Sequence, residues 1–185
     1  MVSLLSLWLP ILLGAVLVFI VSSIIHVVLK YHENDFAGVP NEEQVAAVLR
    51  PLAIPPGEYM IPKPATPKDR NTPQYQGKLT QGPVLAMTVW PNETFKMGRS
   101  LAEWFAYCVV VGVFVAYVAS RTVPPGTEYL QVFRVTGTVA FMAYGLGLPQ
   151  ASIWFRRRWS TTLKSLFDAL IYGLMTAGAF GWLWP

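Results

Sequence analysis

Among the ionisable side chains, His26, Glu103, Arg134 and Asp168 lie inside long apolar stretches of this sequence. An ionisable group at membrane depth is costly, so each is a functional suspect by default. A histidine and two carboxylates can relay a proton or hold a small cation, and His26, Glu103 and Asp168 would do so if gathered at one mouth of a helical bundle. The competing reading, and the one favoured by the sequence, is a set of interfacial charges that pair and reach along their stems to water. Lys164 and Asp168 are four apart and can pair on one helix face. The two histidines, His26 and His32, are six apart, about 600° around an α-helix of 3.6 residues per turn, so they are expected on different faces. A haem clamp formed by the pair is not expected.

Other chemistry-bearing patterns are missing. The single cysteine, Cys108, excludes an internal disulfide and a cysteine-rich metal site. There is no phosphate-binding glycine loop, no nucleophile elbow, no metal-spaced His and Cys set and no pairing of Ser or Cys with His. The expectation is a protein that is not an enzyme, with no catalytic residue, no metal and no cofactor assigned.

The elements that position these residues follow from composition. Of 185 residues 54% are hydrophobic and only 13% charged, with a mean hydropathy of +0.43, too apolar for an ordinary soluble domain. Residues 4–29, 101–119, 130–155 and 163–184 are apolar runs that reach the roughly 20 residues needed to cross a ~30 Å hydrocarbon core. The fold expected is an all-α membrane protein with four transmembrane helices. No Lys or Arg precedes the first run, which is also longer than the core of a signal peptide, so it is read as a retained helix.

All fourteen basic residues except Arg121 and Arg134 flank or lie in residues 30–100 or surround the turn at Arg156, Arg157, Arg158 and Lys164. The positive-inside rule then puts both of those segments in the cytoplasm and both chain termini outside. His26, Glu103 and Asp168 would lie within about two turns of the cytoplasmic boundary. The pI near 9.3 is explained by this inner face and its anionic headgroups, and nucleic acid is not expected as a partner.

The cytoplasmic segment of about seventy residues is rich in proline. A capping box at Asn41 and Gln44 predicts a short helix, Asn41 to Arg50, ended by Pro51. The prolines from Pro51 to Pro73 predict extended chain with turns. Gly82 to Trp90 reads as a short strand, with Glu58 to Ile61 its candidate partner in a small β-hairpin. Such a hairpin is only marginally stable alone and must dock on something.

Close helix approach in lipid relies on small residues. Cys108, Gly112, Ala116 and Ser120, then Ala143, Gly147 and Ala151, then Ala169, Gly173, Ala177 and Gly181 recur at intervals of four and predict packing stripes in the second, third and fourth spans. Gly145 to Gln150, including Pro149, predicts a kink in the third. Trp104, Tyr107, Tyr172 and other aromatics near span ends read as interfacial belts.

Three segments, SIWFRRRWSTTLKSLFDALIYGLMTAGAFGWLWP, NDFAGVPNEEQVAAVLRPLAIPPGEYMIPKP and EWFAYCVVVGVFVAYVA, together resemble an uncharacterised family of four-span bacterial inner-membrane proteins of about this length. The resemblance covers nearly the whole chain and implies a bacterial inner-membrane location. It brings no activity and no functional residue with it.

The function expected is that of a non-catalytic accessory or scaffolding subunit of a larger membrane complex, respiratory or photosynthetic, with other integral membrane proteins as partners. The alternative is a small transporter or proton-coupled channel using Glu103, Asp168 and His26. A membrane enzyme acting on lipid or isoprenoid substrates would need a polar pocket that the sequence does not display.

Overall fold

In chain order the elements are α1 (Trp8–Ser23), α2 (Glu42–Leu49), β1 (Gly57–Ile61), α3 (Pro73–Gln81), β2 (Leu85–Val89), α4 (Met97–Thr122), α5 (Tyr129–Gly145), α6 (Pro149–Phe155) and α7 (Trp159–Trp182). They are taken from a computed structural model that describes residues 2–94 and 96–185. The chain divides into two compact units, Met1–Phe36 with Lys96–Pro185, and Ala37–Phe95.

In the first unit, α1 is lengthened by a 3-10 turn before it and a π turn, Ile24–Val28, after it. Pro10 stands in its first turn, where a missing amide leaves no helical hydrogen bond unmade. Leu4–Val28, Met97–Thr122 and Trp159–Trp182 are helices long and apolar enough to cross a membrane. The long helices form a ring in which α1 touches α4 and α7, and α5 touches the same two.

The third apolar run, expected as one span over residues 130–155, is divided instead into α5 and α6. Pro149 has no amide to give to the Gly145 carbonyl, and its ring would collide with that carbonyl in a continuous helix. The chain turns through Leu146–Leu148 and restarts with proline at the first helical position. At 1.5 Å per residue the 17 residues of α5 reach about 25 Å, short of a ~30 Å core without α6.

Small residues set the contacts of the ring. A Cβ on Gly112 would come within 3.1 Å of Ile11 Cγ2, and one on Gly173 within 3.2 Å of the Gly137 carbonyl oxygen. On α4, Cys108, Gly112, Ala116 and Ser120 are buried; on α7, Ala169, Gly173 and Ala177 are buried and Gly181 lies against the Tyr129 ring. The third stripe is displaced. Ala143 and Gly147 are exposed and Ala151 half-buried, while Gly137, Phe141 and Gly145 face α7. The four-residue spacing 143, 147, 151 crosses the break at Pro149, so those residues do not share a helical face.

The second unit contains the expected strand pair, as a two-stranded sheet and not as a hairpin: β1 and β2 are antiparallel, with Gly57 opposite Val89, Tyr59 opposite Met87 and Ile61 opposite Leu85. The short helix α2 also falls where expected, but Asn41 does not cap it through its side chain. It takes the left-handed conformation (φ 55°) instead, leaving Glu42 and Glu43 to complement the helix N-terminus. Between the strands, where proline density predicts extended chain, stands α3. Pro73 occupies its first position, where proline is welcome, and Thr72 Oγ1 accepts the Tyr75 amide. No described residue of this unit is buried.

Candidate functional site

The end of the first helix and the turns after it place His26, Tyr31, His32 and Asp35 against α7. The π turn Ile24–Val28 carries His26, and Lys30 then adopts the left-handed conformation (φ 54°), which stops the helix and reverses the chain. Turns closed by Glu33 N–H to the Lys30 carbonyl and Asp35 N–H to the His32 carbonyl follow. His32 is thereby laid back over His26, with the two rings parallel (4°) and 4.7 Å apart. The expectation that these residues face apart assumed an unbroken α-helix, and the reversal at Lys30 removes that premise.

Asp168, on α7, is 4% exposed and is the hub of the cluster. The Tyr31 hydroxyl donates to its Oδ1, and His32 Nε2 lies 2.7 Å from its Oδ2. The other nitrogen of His32, Nδ1, lies 2.6 Å from Asp35 Oδ2. Lys164 Nζ donates to Asp35 Oδ1 at 2.9 Å and to the Tyr31 carbonyl oxygen. One ring nitrogen of His26, one of His32 and a carboxylate oxygen of Asp168 all lie within 4.8 Å of one another.

One nitrogen of His26 is held from the opposite side of the cluster. Its Nδ1 donates to the Ser22 carbonyl oxygen at 2.9 Å. The Ser22 hydroxyl in turn accepts from Trp104 Nε1 at 2.9 Å, tying α4 to the base of the cluster. Beneath lies an aromatic layer that joins Trp104 and Tyr107 of α4 to Tyr144 of α5 and Tyr172 of α7, with ring centroids 5.5 to 6.3 Å apart. Trp104 and Tyr172, expected in interfacial belts, thus help fill the bundle. Their amphipathic rings suit either place, and the small residues that draw the helices together make room for them within.

Electrostatics are explicit at the edge of the cluster. Burial would raise the Asp35 carboxyl, but the hydrogen bonds and charges of His32 and Lys164 outweigh it and hold its pKa below the usual carboxylate value. Its side chain is only 9% exposed.

Of the residues singled out in the sequence, His26 and Asp168 come together. Glu103 does not join them; it pairs with Arg99 at 2.8 Å on an exposed stretch of α4. Lys164 pairs with Asp35 rather than with Asp168, whose oxygens face Tyr31 and His32. Arg134 is exposed on α5. Tyr31 and Asp35 are not among the residues singled out in the sequence, and His32 is weighed there only with His26 as a haem clamp. The signal that marks them is the run of His26, Tyr31, His32 and Asp35 within ten residues of a span end, where helical phase no longer dictates direction.

At the other end of the ring, Leu13, Leu17, Tyr129, Leu174, Met175, Gly178, Ala179 and Trp182 line an open groove of about 430 Å³. Its lining is apolar and suits an acyl chain better than a polar substrate.

No family model matches the chain, and no curated protein or solved structure matches it.

Proposed function

We propose that this chain is a small accessory subunit of a larger assembly in a bacterial inner membrane, crossing it four times with residues 30–100 on the cytoplasmic side. The observation that carries the reading is the second unit, which has two helices and a paired sheet yet no buried residue among those described. Met60, Ile61, Val84 and Trp90 are all more than two-fifths exposed there. A two-stranded sheet without a hydrophobic face to cover is marginal in water, so ordering this segment calls for a partner surface. The ring of helices supports the four-crossing layout, because α5 lies alongside α7 and α4, two helices of crossing length. The partners of this reading are integral membrane proteins, and anionic headgroups neutralise the basic turn at Arg156, Arg157 and Arg158.

The test is purification in a gentle detergent at native expression, with mass spectrometry of what remains bound and hydrogen exchange on residues 57–89. Stoichiometric membrane proteins are expected, together with β1 and β2 amides that exchange slowly only in the assembly. A lone chain whose sheet amides are already protected overturns the reading.

A second reading is favoured by the His26, His32 and Asp168 grouping: a cluster that handles protons or a small cation at the inner mouth of the ring. It replaces Glu103 by His32 in the set expected from sequence. Proton flux in proteoliposomes that disappears in Asp168→Asn supports it, and unchanged flux sinks it.

A further inference from the structure

We propose that His26, His32 and Asp168 form a binding site for one divalent first-row metal ion of the Zn2+ class, with two imidazole Nε2 atoms and Asp168 Oδ2 as ligands. The inference rests on the second reading, that this cluster is a functional site, and names its ligand.

The donor set is the first argument. Two histidines and one carboxylate are the nitrogen and oxygen ligands that zinc and its neighbours take, with remaining positions left to water. One ring nitrogen from each histidine and one Asp168 carboxylate oxygen already lie within 4.8 Å of one another. Around an ion at 2.0 to 2.2 Å from each ligand they would stand roughly 3.4 Å apart in a tetrahedral site. The most distant pair therefore closes by little more than about an ångström, while the 2.7 Å contact between His32 and Asp168 opens. His26 is the exposed member and leaves an approach from its side; Asp168 is the buried one.

The second argument is that each proposed ligand has its other polar atom held by a fixed partner. His26 Nδ1 donates to the Ser22 carbonyl, which leaves the Nε2 lone pair free. His32 Nδ1 faces Asp35, itself held by Lys164, which directs His32 Nε2 toward Asp168. Asp168 Oδ1 takes the Tyr31 hydroxyl, leaving Oδ2. This is the carboxylate or carbonyl to histidine to metal arrangement that sets the ring tautomer and orientation in metal sites. Ser22, Asp35 and Tyr31 are thus positioning residues. The ion takes the place of the direct contact between His32 Nε2 and Asp168 Oδ2.

The third argument is local backbone. His26 sits on a π turn, a conformation that recurs at functional sites, and His32 is returned by a left-handed lysine, a costly conformation for a residue with a Cβ.

The test uses the full chain in detergent micelles with an affinity tag free of histidine, stripped by a chelator. Zn2+ is titrated against a chromogenic competitor, and Co2+ supplies a visible spectrum that reports coordination. One Zn2+ per chain is expected. His32→Ala and Asp168→Asn are expected to weaken it by at least about 100-fold, and Asp35→Asn by about 10-fold with stoichiometry retained. Should Asp168→Asn not fold, His26→Gln, a change on an exposed ring, decides in its place. Absence of stoichiometric binding, or an affinity unchanged by His32→Ala or His26→Gln, overturns the inference. Proton flux lost in Asp168→Asn without any bound ion keeps the second reading and removes the metal; tight Zn2+ binding with unaltered flux does the reverse.

Discussion

The imidazole of His32 lies between two carboxylates, Asp35 at 2.6 Å from Nδ1 and Asp168 at 2.7 Å from Nε2, and so joins the strap that follows the first helix to the seventh. Asp168 is almost fully buried, and among the described residues its side-chain hydrogen bonds come from the strap, from the Tyr31 hydroxyl and from His32 Nε2. The strap and the cluster are therefore one structural device, and disturbing either should be felt by the other.

Replacing His32 by Ala removes one of the two partners of the buried Asp168 carboxylate. Loss of a hydrogen bond to a buried charged group costs about 1–3 kcal/mol, so the unfolding free energy in detergent is expected to fall by that amount. Hydrogen exchange should localise the loosening to Tyr31–Asp35. A variant as stable as the wild type would mean the strap is held elsewhere.

Asp35 gives the strap an acid limit. Its folded pKa is below the value of about 3.9 expected in the unfolded chain, so its contribution is complete above that pH and is lost as pH falls through the lowered folded value. Exchange of the Tyr31–Phe36 amides, corrected for intrinsic rate, should accelerate only below about pH 4. In Asp35→Asn that acid step should vanish, with faster exchange already at neutral pH.

Gly173→Ala is expected to lose about 1–3 kcal/mol, because the new Cβ would meet the Gly137 carbonyl oxygen at 3.2 Å and the Phe141 backbone nitrogen at 3.3 Å, atoms that move only with the helix. Gly147→Ala, with nothing within 4 Å, should stay within about 0.5 kcal/mol of wild type. Parallel denaturation curves check the contrast, and equal effects would remove the α5 to α7 contact from the account.

Trp104→Phe deletes the donor to Ser22 Oγ and is expected to cost about 1 kcal/mol. Ser22→Ala should cost similarly, and the double variant less than the sum, since both remove one bond. Additive losses would show that the two residues act apart.

Four crossings make a labelling prediction. In a Cys108→Ala background, single cysteines at Thr66 and Arg157 should react with an impermeant maleimide from one side of sealed vesicles, and one at Gly126 from the other. Gly126 and Arg157 labelling from the same side would mean that α5 and α6 do not cross.

The sequence by itself determined what depends on local composition and period. Apolar runs of crossing length, the small-residue stripes of α4 and α7, and the pairing of Gly57–Ile61 with Leu85–Val89 all follow from side-chain type and spacing along a single element. Tertiary structure decided what depends on where the chain leaves an element. The break before Pro149 shifted the packing face of α5 from Ala143 and Gly147 to Phe141 and Gly145, and Thr72 with Pro73 opened a helix among prolines. The left-handed turn at Lys30 brought His32 back onto His26 and Asp168. A lysine carries no conformational signature for that turn, so helical phase could not foretell the cluster. It is the compensation of a buried aspartate, supplied from 136 residues away in sequence, that selects the turn.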